Sequence, residues 1–400
     1  NPPEYVRITP SNYPSSSVIS YKSGSPLINF IIGSKAKKIK SGSIRLNGKI
    51  KCFDADSNGL TDTNVVYDST TGTQGLIDSL TISNSNNREY EKINSYNRAM
   101  ASYLKQSQSS NDTNTINSLE YVSNGNLNGI STFTNGAVNN SFSMPLYSGL
   151  LTGNDYYLDS SKQNGMTLSV MLSPDSNFFY DITGGAGAVG CFYQLSDVHL
   201  SFVQENMTKE DMAYDFVEFI TLNTHYGIAS ETYNTINFNL GLSSVLSWFI
   251  NVLPQDSINN ALKNSMETNS FIDDNDLVDE IIRLEFLVGG QKFPLNYNVE
   301  GTSGNQYTTE IYRNFADSFS PYMNTTKNYR NATNTQVEKT LDIIDQGPSW
   351  GMGVALDNIS NSGFNGYMQE QFGLVVEKRS TSPKPHTLYL FIRNKQRIVF

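Results

Sequence analysis

The stretch Met166-Thr167-Leu168-Ser169-Val170-Met171-Leu172 decides the fold class. Met166, Leu168, Val170 and Leu172 fall on one face of an extended chain, with Thr167 and Ser169 on the other. This period of two belongs to a half-buried strand, and a helix would need 3.6. The same alternation runs through Arg45-Leu46-Asn47-Gly48-Lys49-Ile50. Val198, Leu200 and Phe202 point one way, and Asp197, His199 and Ser201 the other. In the second half Ile236, Phe238, Leu240 and Leu242 alternate with Asn237, Asn239 and Gly241. Ile282, Leu284, Phe286 and Val288 are interleaved with Arg283, Glu285 and Leu287. Phe372, Leu374 and Val376 lead to a final strand, Leu388 to Ile392. Strands of this kind separated by Asn/Ser/Gly loops predict sandwiches or jelly rolls.

Composition points the same way. Charged residues make up 16% of the 400, against about 25% in an average soluble protein. Asn, Ser, Thr, Tyr and Gly take their place, a mixture suited to strand faces and polar loops and poor in helix formers. A chain of this length accommodates two domains.

Three segments have helical spacing. Tyr90, Ile93, Met100, Tyr103 and Leu104 define one from Tyr90 to Leu104. Ile311, Tyr312, Phe315, Phe319 and Tyr322 define another from Thr309 to Tyr322. The third opens on a Thr208-x-x-Asp211 cap, carries Met212, Phe216, Phe219 and Ile220, and stops near Gly227. Its place near the middle of the chain predicts a connector. The first two echo each other, Tyr96-Asn-Arg-Ala-Met-Ala-Ser102-Tyr103 against Tyr312-Arg-Asn-Phe-Ala-Asp-Ser318-Phe319, which suggests a duplicated unit with one helix per sandwich.

At these residues the chain resembles the double jelly-roll major capsid proteins of virophages and polinton-like viruses. Leu76-Ile77-Asp78-Ser79-Leu80-Thr81 followed by Tyr96 to Leu104 matches that family's strand and Tyr-rich helix. Phe142-Ser-Met-Pro145-Leu-Tyr-Ser-Gly149 looks like a later strand of its first roll. Gly289-Gly290-Gln291-Lys-Phe293-Pro294-Leu295 looks like a turn of its second, and is the most specific of these pieces. Gly351-Met-Gly353-Val354 and Leu388-Tyr-Leu-Phe-Ile392 resemble its last strands. The pieces are short and scattered over most of the chain.

The resemblance implies an all-β double jelly roll, with a first roll over residues 1–207, a connecting helix over 208–226 and a second roll over 227–400. It implies a structural coat protein and no enzyme: homotrimers forming pseudo-hexameric capsomers that tile an icosahedral shell. The implied partners are the chain itself, neighbouring capsomers, and penton and minor capsid proteins. The implied location is the virion, assembled inside the host cell. The 23 tyrosines and 21 phenylalanines suit interfaces that are tight yet soluble before assembly. The alternative from another class is a carbohydrate-binding or adhesion sandwich, of spike or lectin type, and a third is a sandwich hydrolase.

Several motifs were weighed against chemistry. Gly185-Ala-Gly187-Ala-Val-Gly190 satisfies G-x-G-x-x-G but leads into a strand, where dinucleotide binding needs a helix. Asp54-Ala-Asp56-Ser-Asn58-Gly59-Leu-Thr-Asp62 has the first half of a calcium loop, but the closing Glu is Val65, which favours an Asx-rich turn. Asp273, Asp274, Asp276, Asp279 and Glu280 could supply paired carboxylates, yet a consecutive run reads as a solvated loop or helix start. His199, His225 and His386 lack metal-ligand spacing. No catalytic, cofactor-binding or metal residue is expected, and no cofactor. The sequons at Asn111, Asn139, Asn206, Asn324, Asn331 and Asn358 are what an Asn/Ser/Thr-rich chain yields by chance.

The net charge of −10 opposes non-specific nucleic-acid binding, and no sequence-specific binding is expected. Lys35, Lys37, Lys38 and Lys40 run against that trend, either as a solvated turn or as a patch facing a packaged genome. Cys52 and Cys191 are expected to be buried free thiols, consistent with a reducing compartment. No run is long enough for a membrane span, and the opening Asn1-Pro2-Pro3 lacks a signal-like segment.

Overall fold

The structure is a computed structural model. It describes residues 2–33, 37–68, 71–107, 130–131, 140–152, 157–159, 165–206, 217–228, 231–238, 242, 244–266, 281–292, 299–300, 352–356, 371–378 and 385–396.

The first half contributes β1 (Glu4–Ile8), β2 (Leu27–Ile32), β3 (Lys37–Lys40), β4 (Arg45–Phe53), β5 (Val65–Asp68), β6 (Ile77–Asn84), β7 (Glu89–Asn94), β8 (Ile130–Ser131), β9 (Asn140–Pro145), β10 (Tyr157–Asp159), β11 (Met166–Leu172), β12 (Tyr180–Asp181) and β13 (Phe192–Asn206). The helix α1 (Tyr96–Ser107) follows β7. The second half contributes β14 (Val217–Ile228), β15 (Tyr233–Phe238), β16 (Val245–Pro254), β17 (Ile281–Val288), β18 (Gln291–Lys292), β19 (Val299–Glu300), β20 (Met352–Ala355), β21 (Phe372–Lys378) and β22 (His386–Gln396). Among the described residues, every strand pairs within its own half.

In the first half a six-stranded sheet, ordered β10-β3-β13-β4-β9 with β1 beside β13, faces a four-stranded sheet ordered β2-β11-β6-β7. The alternating residues meet between them. Leu168 and Val170 of β11, Phe30 of β2 and Ile82 of β6 share one core with Leu46 and Ile50 of β4 and Leu200 and Phe202 of β13. In the second half the sheets β14-β22-β16-β20 and β15-β21-β17-β18 enclose a core centred on Trp248, with Phe238, Phe286, Phe372, Leu374 and Leu390. The Gly289-Gly290 dipeptide closes the β17–β18 hairpin. Val288 pairs with Gln291, and both glycines take positive φ, 61° and 76°. That conformation matches the twist of the strands and disfavours side chains.

Two expected helices are corrected. Tyr90 and Ile93 lie on β7, and the helix starts at Tyr96, after Ser95 turns the chain at φ 48°. The expected connecting helix over 208–226 is strand from Val217 onward. β14 pairs along its length with β22, from Val217 opposite Gln396 to Ile228 opposite His386. Ladder hydrogen bonds to a neighbour outweigh an apolar spacing compatible with either structure. The rest of that segment, the helix expected from Thr309 to Tyr322, and therefore the test of the duplication, lie outside the described residues.

Candidate functional site

The two sandwiches meet along a buried seam. β16 reads Val-Leu-Ser-Trp-Phe-Ile-Asn-Val-Leu-Pro and is buried on both faces. Trp248, Ile250 and Val252 enter the second core. Phe249 and Leu253 point the other way, and with Ala261, Tyr389 and Phe391 they join the core of the first half. Phe249 and Phe391 stack with centroids 4.7 Å apart.

Helix α1 supplies the polar half of the seam. Arg98, 3% exposed, donates to the Ser265 carbonyl, and its guanidinium carbon lies 4.4 Å from the Tyr389 ring centre. Burial lowers its pKa, while the nearby Tyr389 and Asp78 favour the charged form. One turn on, Ser102 Oγ accepts from Asn251 Nδ2 at 3.1 Å. The segment after β16 is tied down in the same way. Asn264 Nδ2 donates to Asp68 Oδ2 at 2.8 Å, Asn259 N to Asn177 Oδ1 at 2.9 Å, and Asp181 N to the Ala261 carbonyl at 3.0 Å. Farther along, β14 lies against β7 and the short helix Gly149–Thr152. Buried Glu91 of β7 accepts from Gly149 N and Leu150 N at the start of that helix, at 3.0 and 3.1 Å. The hydrogen bonds of Arg98, Asn251, Asn264, Asn259 and Asp181 each cross from one half to the other and so favour one relative orientation.

The motifs weighed for chemistry have structural uses. The glycines of Gly185–Gly190 make room around a carboxylate. A Cβ on Gly187 would sit 2.8 Å from Asp181 Oδ2, and one on Gly185 2.9 Å from it. Burial alone would raise the Asp181 pKa, but hydrogen bonds from Thr183, Gly187 and Gly185 outweigh it and hold the carboxyl below its usual range. Gly190 takes φ +82° just before β13. In the Asp54–Asp62 segment, Asp54 Oδ1 accepts from Asn58 N at 2.7 Å, and Phe53 bridges Gly59, which is an Asx turn closing a hairpin. Lys37 and Lys38 are ion-paired with Glu4 and Glu205, so much of the charge of that lysine cluster is compensated. Cys52 and Cys191 are both free and buried.

His199 Nδ1 lies 2.7 Å from the Asp197 carbonyl on the solvent face of β13, and His386 is buried. His225 lies on β14. The acidic run 273–280 and the sequons other than Asn206 lie outside the described residues, and Asn206 ends β13. Among the described residues no group of three or more His, Cys, Asp or Glu side chains could hold a metal ion, and no helix is long and apolar enough to cross a membrane.

The titration of Asp175 is displaced. Burial raises it to about 6, against the opposing pull of the Tyr193 N–H and Lys22. A raised pKa means that the folded state binds the proton more readily than the unfolded chain between about pH 4 and 6. The contribution of Asp175 to stability therefore falls as pH rises through that window. Asp175→Asn keeps the acceptor for Tyr193 N and removes the charge. It is expected to melt a few degrees above the parent at pH 7 and to lose that advantage by pH 4, as followed by circular dichroism.

No family model and no curated sequence matches the chain. Solved structures do. The Faustovirus major capsid protein superposes with a TM-score of 0.60 at 9% identity, over 100% of this chain and 90% of the other. The PBCV-1 VP54 structure fitted into the virophage Sputnik reconstruction gives 0.60 at 10% identity, over 100% and 94%. The Sputnik virophage structure at 3.5 Å gives 0.53 at 10% identity, over 98% and 85%. The fold is a double jelly roll of the viral major capsid protein type. The superpositions cover both halves of the chain, and at this identity the likeness is one of fold alone. Among the described residues, β13 is the last strand of the first half, ending at Asn206, and β14 the first of the second, starting at Val217. The seam residues Arg98, Asn251 and Asn264 carry no sequence signal, because their partners lie more than a hundred residues away.

Proposed function

We propose that the chain is a structural major capsid protein. Three copies close around one axis into a pseudo-hexameric tile, and the tiles cover an icosahedral shell in the virion. The observation that carries this reading is the buried seam. Two rolls locked at one angle by Arg98, Asn251, Asn264 and the stacked Phe249–Phe391 pair form a rigid double unit. Three such units present six similar sandwiches. The role is mechanical rather than catalytic. Its partners are further copies, with penton and minor capsid proteins at special positions, and assembly takes place inside the host cell. The rolls are assigned to residues 1–206 and 217–400.

Light scattering at low micromolar concentration tests the first step, and electron microscopy the second. The expected results are a trimer mass and hexagonal outlines. A stable, monodisperse monomer would overturn the reading in favour of a binding or adhesion module. A subunit interface of more than about 2,000 Å² is expected for such a tile.

A further inference from the structure

The outward face of the six-stranded sheet collects cations on a chain whose total charge is −10. On β1, Val6 and Ile8 pack against the core, so Tyr5 and Arg7 point to solvent, and Tyr5 is 70% exposed. Tyr5 pairs with Val203, and Arg7 with Ser201. Across β13, Ser201 pairs with Arg45 of β4, which places Arg45, Lys49 and Lys51 on the same face.

At its centre β13 carries a bulge between Ser196 and His199, where Asp197 adopts φ 53°. A non-glycine residue in that conformation costs energy, and bulges serve to re-aim a side chain. Here the bulge aims Asp197 between two cations. Oδ1 lies 2.6 Å from Arg7 Nη2, and Oδ2 3.9 Å from Lys49 Nζ. The result is an exposed tyrosine beside an arginine on a rigid sheet, two residue types enriched at protein interfaces, with lysines that add charge around them.

We infer that this face docks the acidic surface of a second copy of the chain, as a contact between neighbouring tiles; the inference rests on the capsid reading. Charge complementarity selects the occupant. With the cations gathered here, the remaining surface must be more acidic than the total, so each copy carries both halves of the contact. Asp197 and Glu205 on the same face oppose a polyanion such as nucleic acid. Against a protein surface they act as reciprocal pairing points and fix register.

The test compares the parent with Lys49→Glu/Lys51→Glu and, separately, with Tyr5→Ala, an exposed position whose loss leaves the core intact. Each purified protein is checked by circular dichroism and light scattering, then titrated for array formation by turbidity and microscopy at low and high salt. A fluorescent single-stranded oligonucleotide is titrated in parallel. The expected result is an unchanged trimer for both variants. The concentration needed for arrays rises about tenfold or more for each, and added salt weakens parent arrays. Variants that form arrays as the parent does would overturn the inference and leave the trimer standing, as would parental oligonucleotide binding lost in the lysine variant with arrays unchanged. A monomeric parent would instead overturn the capsid reading itself.

Discussion

Replacing Arg98 with alanine is expected to lower stability by about 4 kcal/mol, the scale on which removing one partner from a buried charged contact operates. The side chain is 3% exposed, its hydrogen bond reaches Ser265, and its guanidinium lies over Tyr389, both in the second half of the chain. Truncation leaves a void between the rolls, takes the donor from the Ser265 carbonyl and takes the nearby cation from Asp78, whose pKa burial already raises. The effect should therefore be specific to the joint. In urea, followed by circular dichroism, the parent should unfold in one transition, and Arg98→Ala in two, because the rolls no longer support each other. A single transition shifted by less than about 1 kcal/mol would show that α1 does not hold the seam.

Trp248→Ala is expected to cost a similar amount, about 3–5 kcal/mol, through a different mechanism. The indole is fully buried among Phe238, Phe286 and Phe372, at centroid distances of 5.9, 5.2 and 5.1 Å. Those rings sit on three strands of the opposing sheet, so the void cannot close without moving that sheet. Trp248→Phe keeps an aromatic contact and should cost less than half as much. In Trp248→Ala the seam is intact, so unfolding in urea should stay a single transition, shifted by the full amount. Two separate transitions in Trp248→Ala would mean that the seam couples the two cores less tightly than its packing indicates.

How much of this was legible in the sequence follows from the physics of each element. The strands with one face in a core and one less buried alternate, so β4, β11, β13 and β17 were readable from their residues alone. β16 was not. It is covered on both sides, once by its own roll and once by the other, and a continuous apolar run has no period to detect. β14 was misread because Phe216, Phe219 and Ile220 after a Thr-x-x-Asp cap have helical spacing. The deciding partner, β22, lies at the far end of the chain, where no local pattern reports it. The beginning of α1 was misplaced for a related reason. Tyr90 and Ile93 happen to sit three apart on β7, and only the turn at Ser95 separates them from the helix. On the outward sheet face the alternation was correct. The gathering of Arg7, Lys49 and Asp197 around a bulge required the register of three strands at once.

The pairing of β14 with both β22 and the surface of the first roll has a consequence for synthesis on the ribosome. The first roll completes its sheet as soon as β13 emerges, because β1 and β4 are already waiting for it. The second roll cannot do the same. Val217 finds its partner at Gln396, and β16 takes its neighbour from the same late strand. While the intervening residues are made, β16 has apolar side chains on both faces and only one surface on which to lay them, the finished first roll. Long-range strand pairing of this kind is slow and exposes sticky edges. Until β22 is made, the first roll is the one finished surface on which the outward side chains Phe249 and Leu253 of β16 can be laid.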